Sequence, residues 1–228
     1  MSDRSSLGLP REALPIFPLT GVLLLPGGRL PLYIFEPRYR SLVEDALAAD
    51  GHFGLVQPKV ADPADNRGPD GDEAEPAAPE IYPVGCAGLV EHHERLDDGR
   101  YVVLMKGVWR FRATQELEPL RGYRRVAPDY SEFDDAEGGR EASFEVDHDA
   151  IASALVEFGT QHQLDIDLDQ LNEVEGLALL NSVAMALPFA PAEKQALLEA
   201  PTVGGRQELL LTLLAMGLTL DVEPPATN

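Results

Sequence analysis

Arg29-Leu30-Pro31-Leu32-Tyr33-Ile34-Phe35-Glu36-Pro37-Arg38-Tyr39-Arg40 changes its periodicity midway, and that change decides how the chain is read. Up to Ile34 the run is short, β-favouring and broken by proline, as in strands at the edge or corner of a sheet. From Glu36 the pattern becomes helical. A proline at the first helical position loses no intrahelical hydrogen bond, so Glu36-Pro37 is a start signal. Tyr39, Leu42, Val43, Ala46 and Leu47 then fall on one face, with Arg38, Arg40, Glu44 and Asp45 opposite. Asp50-Gly51 stops the helix.

Upstream, after a loose leader of a dozen residues, Leu14-Pro15-Ile16-Phe17 and Val22-Leu23-Leu24-Leu25 read as further short strands separated by Pro and Gly. Downstream, His52 to Gln57 reads as a strand. Residues 61–80 hold seven acids and one base, Arg67, among Ala, Gly and Pro, and are expected to be a flexible or lid-like insert. Strands resume at Ile81. Val90 to Arg95 and Arg100 to Lys106 flank Leu96-Asp97-Asp98-Gly99, where Asp-Gly signals a hairpin turn. Trp109 to Thr114 and Arg124 to Tyr130 complete the β half. Beyond the acidic stretch Ser131 to Arg140 the spacing turns helical four times: around Ile151, Leu155, Phe158 and His162; through Leu171, Val174, Ala178 and Met185, apolar on most sides between Leu177 and Leu187 and ended by Pro188; from Pro191 to Glu199; and from about Gly205 to Leu220, with a stripe of Leu209, Leu213, Met216 and Leu220. The fold class is α+β, a β-rich half with one helix followed by four helices.

The whole chain has 228 residues and 24.8 kDa, 44% hydrophobic and 25% charged, enough for a core without staples. Its one cysteine, Cys86, excludes an intramolecular disulfide. The net charge of −21 is uneven. Residues 1–125 hold 15 basic and 19 acidic side chains, a net −4, whereas residues 126–228 hold 3 and 20, a net −17. Such a field repels phosphate backbones and anionic lipids. The longest apolar stretch, Leu209 to Leu220, has 12 residues, short of the roughly 20 a spanning helix needs. The expected compartment is the cytoplasm.

Catalytic signatures are missing: there is no phosphate-binding GxxxxGK[ST], no GxSxG, no HExxH and no paired CxxC. In Glu91-His92-His93-Glu94 the two histidines alternate faces on a strand and cannot share one ion, so no metal is expected. Cys86, between Gly85 and Gly88, reads as a buried inert thiol. Asp165, Asp167 and Asp169 lack the Gly and Glu a calcium loop needs, and Asp169 reads as a helix N-cap. Lys106, Arg110, Arg112, Arg121, Arg124 and Arg125, interleaved with aromatics, admit two readings. One is a nucleic-acid surface; the other, preferred, is a solvated sheet face paired with the acidic helical half.

Several blocks resemble one family. Leu14-Pro15-Ile16-Phe17-Pro18-Leu19, Leu25-Pro26-Gly27 and Pro31 to Arg40 are similar to the opening of the Lon protease N-terminal domain, also found in cereblon. Gly85-Cys86-Ala87-Gly88, Asp98-Gly99-Arg100-Tyr101 and Gly107-Val108-Trp109-Arg110-Phe111-Arg112 match its second block, and Leu187-Pro188 with Lys194-Gln195-Ala196-Leu197-Leu198-Glu199 its helical half. The resemblance implies a PUA-like β pseudo-barrel over 12–130, a helical bundle over 141–221 and a role in recognising protein substrates. It supplies no catalytic residue. In the protease this domain precedes an ATPase and a Ser–Lys peptidase, and the sequence ends before either.

The expectation is therefore a non-catalytic module for unfolded or partly unfolded proteins or peptides, with no cofactor, nucleic acid or membrane partner. Where barrel and bundle meet, a groove is expected, lined by Tyr33, Phe35, Tyr39 and Trp109 with Arg38 and Arg110 as polar anchors. The alternatives are an adaptor of a separate ATP-dependent protease, an RNA-binding module, and a hydrolase with an unrecognised site.

Overall fold

A computed structural model describes residues 9–10, 12–59, 79–133, 144–163 and 174–217. The insert expected over 61–80 lies outside them apart from Pro79 and Glu80, as do Asp165, Asp167, Asp169, Leu171 and Leu220. The β half contains β1 (Leu14–Pro18), β2 (Arg29–Ile34), α1 (Pro37–Ala48), β3 (His52–Val56), β4 (Val84–Arg95), β5 (Tyr101–Leu120) and β6 (Tyr123–Asp129). Four helices follow: α2 (His148–Gln161), α3 (Gly176–Ala186), α4 (Pro191–Glu199) and α5 (Val203–Gly217).

Five strands close on themselves. β1 pairs with β3 in parallel and with β6 antiparallel, β3 with β4, β4 with β5, and β5 with β6, which returns the ladder to β1. Closure removes the edges an open sheet would expose. β2 stands outside this ring, antiparallel to the first half of β5. The 20-residue β5 serves both arrangements: Tyr101 to Lys106 faces β2, and Arg112 to Leu120 faces β6. Register shifts at Ala87/Gly88 and Val90/His92 bend the β4–β5 ladder, and two more bend β5–β6.

Two sequence expectations change here. Trp109–Thr114 is the middle of β5 and not a strand of its own, and β5 runs on to a turn at Arg121-Gly122, both at positive φ (49° and 87°). Val22–Leu25 is a buried loop. Leu23, Leu24 and Leu25 are all buried in succession, which a strand with one wet face cannot achieve. The loop is pinned to β5 where Gly27 donates to the Gly107 carbonyl and Gly107 donates to that of Gly28, both at 2.8 Å. A side chain at Gly107 would collide with the Leu25 carbonyl oxygen.

The remaining elements follow their local signals. α1 starts at Pro37 behind Glu36, buries Tyr39, Leu42, Val43 and Ala46, and ends before Gly51 (φ 79°). Gly99 (φ 81°) makes the Asp-Gly hairpin turn. Cys86 is buried. α3 begins at Gly176 behind Glu175 and buries Leu179, Leu180, Asn181, Val183 and Ala184. On α5 the buried residues are Val203, Arg206, Leu210, Leu213 and Leu214, a stripe rotated from the one expected, with Met216 exposed. α2 is capped by Asp147, whose carboxylate accepts from the Ala150 amide.

The barrel and the helices share one hydrophobic core, and buried polar groups stitch the seam. The Gln57 amide donates to the Pro191 carbonyl (2.9 Å) and to Gln195 (3.3 Å), and Gln195 donates to the Val84 carbonyl (3.1 Å). Arg110 donates to the carbonyls of Leu198 (3.1 Å) and Ala200 (2.6 Å). Asn181 donates to the Pro26 carbonyl (3.1 Å) and accepts from Arg206 (3.2 Å). Buried donors and acceptors are costly unless paired, and here the pairing crosses from one half to the other.

Candidate functional site

The seam is filled, so the groove expected between barrel and helices is not formed among the described residues. Three of its six candidate residues belong to the interior. Trp109 is 2% exposed and packs with Leu14, Ile16, Phe111 and Val126 in a second core cluster. Arg110 is fully buried, its guanidinium 4.2 Å from the centre of the Phe133 ring while it bonds α4 and the residue after it. Tyr39 is buried on α1 with its ring centre 4.3 Å from that of Phe17, and this burial raises its phenol pKa. β5 is covered on both faces here, Trp109 against the barrel cluster and Arg110 against the helices, while Tyr39 is on the buried face of α1, so none of the three is left for a ligand to touch.

The other three candidates are on the surface. β2 alternates: Leu32 and Ile34 are buried, while Pro31, Tyr33 and then Phe35 point outward. Tyr33 is 45% exposed and Phe35 59%, with ring centres 6.4 Å apart. The ladder places Val102 beside Tyr33 and Leu104 beside Pro31, and Val102 is itself 39% exposed. Sequence reasoning missed Pro31, Val102 and Leu104. Their stretch of β5 is apolar on both faces, so its alternation could not say which face the core would take.

Charged groups border this apolar face. The Arg100 guanidinium lies 5.0 Å from the centre of the Tyr33 ring and pairs with Asp98, which its hydrogen bonds hold below the usual carboxylate pKa. Arg38 pairs with Glu36 (2.9 Å) and leans over the Tyr39 ring. At the other end Arg29 makes a two-point pair with Glu91 (2.7 and 3.1 Å), and that bonding lowers the Glu91 pKa. Apolar centre, charged border and exposed aromatics are the composition of a protein-contact surface.

The arginines of the β half have found partners, though not the expected ones. Arg112 pairs with Glu132, Arg121 with Glu44 and Asp45, and Arg124 with Glu116, while Arg125 bonds the Glu118 carbonyl. These acids belong to the β half and the segment just after it, not to the helical bundle, because β5–β6 and α1 bring them within reach. A shallow hollow of about 240 Å³ beside α1 is lined by Pro37, Arg40, Ser41, Glu44 and Arg121, the last two paired with each other. Among the described residues no three His, Cys, Asp or Glu side chains are grouped to hold a metal ion, and no helix is long and apolar enough to cross a membrane.

The profile of the ATP-dependent protease La (LON) substrate-binding domain matches residues 13–216. The chain belongs to the Lon substrate-binding domain family. Among curated Lon proteins it is 31% identical to Lon protease 2 of Sorangium cellulosum over 233 residues, which is 95% of this chain and 26% of that protein. It is 27% identical to Lon protease of Xanthomonas oryzae pv. oryzae, covering 88% of this chain and 22% of that one. The chain thus spans about a quarter of the length of its curated Lon relatives, and the part matched is the substrate-binding domain. The fold agrees. A Lon N-terminal domain protein from Xanthomonas campestris superposes with a TM-score of 0.58 at 22% identity, over 89% of this chain and 97% of that one. The N-terminal domain of Mycobacterium avium complex Lon protease gives 0.58 at 15% identity, over 92% and 100%.

Proposed function

We propose that this Lon-family domain is a non-catalytic module that holds exposed apolar segments of unfolded or partly unfolded proteins, with Tyr33, Phe35 and Arg38 in the contact surface. The observation that carries the reading is the exposed aromatic pair at the end of β2, Tyr33 on the strand and Phe35 just after it. Most other large aromatics described are buried, and an aromatic pair left in water beside Val102 and Arg100 offers contact area at small conformational cost. Family membership supports the same class of partner. Tyr39, Trp109 and Arg110 serve by holding the framework. A separate ATP-dependent protease is the natural recipient of what is held, since the curated relatives are Lon proteases and this domain makes up about a quarter of their length.

Held alone, a segment binds weakly, because ordering a flexible chain cancels much of the contact energy. Titration of a reduced, alkylated and permanently unfolded protein against the purified chain, read by fluorescence anisotropy, is expected to saturate in the micromolar range. No saturation at high micromolar concentration overturns the proposal, as does hydrolysis of that protein by the chain alone at a rate abolished by one point substitution.

A further inference from the structure

How the segment is held follows from the edge on which the aromatics stand. β2 is hydrogen-bonded to β5 along one side, from Arg29 to Ile34, and among the described residues no other strand or loop bonds its backbone on the other side. Short one-sided stretches also occur at the end of β4 past Val90 and of β5 past Ala113, but β2 is one-sided over its whole length and is the open edge that carries exposed aromatics. Soluble proteins blunt such an edge with shortness, charges or proline. β2 is six residues long, its inward residues Leu30, Leu32 and Ile34 are apolar, and Pro31 removes a single donor from its backbone. We infer that the bound segment docks as an extra β-strand along the free edge of β2, and that the segments chosen are extended, alternate apolar with polar residues, and carry neutral or positive charge. This rests on the peptide-holding reading above and deepens it.

The side-chain rule comes from strand geometry. Neighbouring strands lie about 4.8 Å apart and side chains repeat every second residue. Every other side chain of an added strand therefore lands beside Pro31, Tyr33 and Phe35 on the outer face, in line with Val102 and Leu104. Backbone pairing supplies sequence-independent attachment, and the alternating apolar contacts supply the preference. The charge rule comes from the balance of the chain. Arg29, Arg38 and Arg100 are each offset by Glu91, Glu36 and Asp98, so the edge itself is close to neutral, within a body of net charge −21. That field attracts a cationic segment and repels an anionic one. It also opposes a second copy of this chain as the occupant.

The test uses a nine-residue peptide of alternating valine and threonine with lysine at both ends, and two N-methylated versions, one methylated at odd and one at even positions. In an added strand only alternate amides face β2. One methylated version is expected to lose binding at least tenfold while the other stays within threefold of the parent; a version of the parent with glutamate ends is expected to bind at least threefold more weakly at low salt. The Tyr33→Lys/Phe35→Lys double variant, with an unchanged melting temperature, is expected to bind the parent peptide at least tenfold more weakly. If both methylated versions bind like the parent, strand docking is overturned and the peptide-holding reading survives. If the glutamate peptide binds as well or better, the charge rule is overturned. If sedimentation shows a dimer that dissociates in the double variant and excludes the peptide, the edge belongs to a second copy and the inference fails. If neither the peptides nor the unfolded protein binds, both proposals fall together.

Discussion

Two aromatic–arginine pairs occupy opposite situations in this molecule. At the seam Phe133 and Arg110 are buried, the guanidinium 4.2 Å from the ring centre while it bonds two carbonyls of the helical half. On β2 the exposed Tyr33 has Arg100 lying over its ring, and Phe35 stands beside it with an open side. The residue types are the same and the consequences differ. Where both groups are covered, the pair holds two halves of a fold together; where one face stays wet, the pair is available to a partner. Residue type alone carries no such information, because aromatics and arginines are favoured both in well-packed interiors and at contact surfaces.

The largest effects belong to the seam. Arg110→Ala leaves the Leu198 and Ala200 carbonyls buried without their donor and opens a void, and is expected to lower unfolding stability by about 3–5 kcal/mol. Urea denaturation checks this, and a loss below about 1 kcal/mol would mean the seam does not depend on Arg110. On the other surface the Tyr33→Ala/Phe35→Ala double variant should unfold within about 0.5 kcal/mol of the parent while binding unfolded protein at least tenfold more weakly. A binding loss matched by an equal loss of stability would erase the contrast between the two regions.

Smaller effects separate half-buried polar contacts from both extremes. The Tyr123 hydroxyl donates to Asp45 at 2.8 Å, and burial with that bond raises its pKa to about 12 from the ordinary 10.0. The stabilisation is complete below pH 10 and is lost as pH rises toward 12, since the unfolded chain ionises first. Tyr123→Phe is expected to cost about 1 kcal/mol at neutral pH and to converge on the parent above pH 12. Chemical unfolding across pH 8–12 measures it. Smallest is Arg124→Ala. The Arg124 hydrogen bond holds the Glu116 carboxyl below the usual 4.5. The ion pair's contribution is therefore present above that value and disappears as the pH falls, so the variant should differ from the parent by a few degrees or less in melting temperature at pH 7 and by less at pH 2, where only the bond to the Pro79 carbonyl remains.

Much of the fold was legible because its signals are local. Glu36-Pro37 and Gly51 bound α1, Asp98-Gly99 makes the hairpin, and the glycines at 85 and 88 sit where a Cβ would strike the Leu55 carbonyl and Met105. The errors fall where long-range pairing overrides a local pattern. Val22–Leu25 reads as a strand by composition but is claimed by packing as a buried loop. The buried stripe of α5 is shifted because Arg206 turns inward to bond the Leu197 carbonyl and Asn181. Of the candidate site, Tyr33, Phe35 and Arg38 were nameable from the chain, whereas Pro31, Val102, Leu104 and Arg100 were assembled around them by the β2–β5 register and the hairpin turn.

The amino-acid order by itself determined the α+β class, the start and stop of α1, the Asp98-Gly99 hairpin and membership of the Lon substrate-binding family, since each is written in short-range spacing or in contiguous blocks. Which apolar face stays in water was decided only in three dimensions. A strand such as β5 is apolar on both sides, and only its neighbours determine which side is covered. Closure of the other strands into a ring then left β2 as the open edge that carries exposed aromatics.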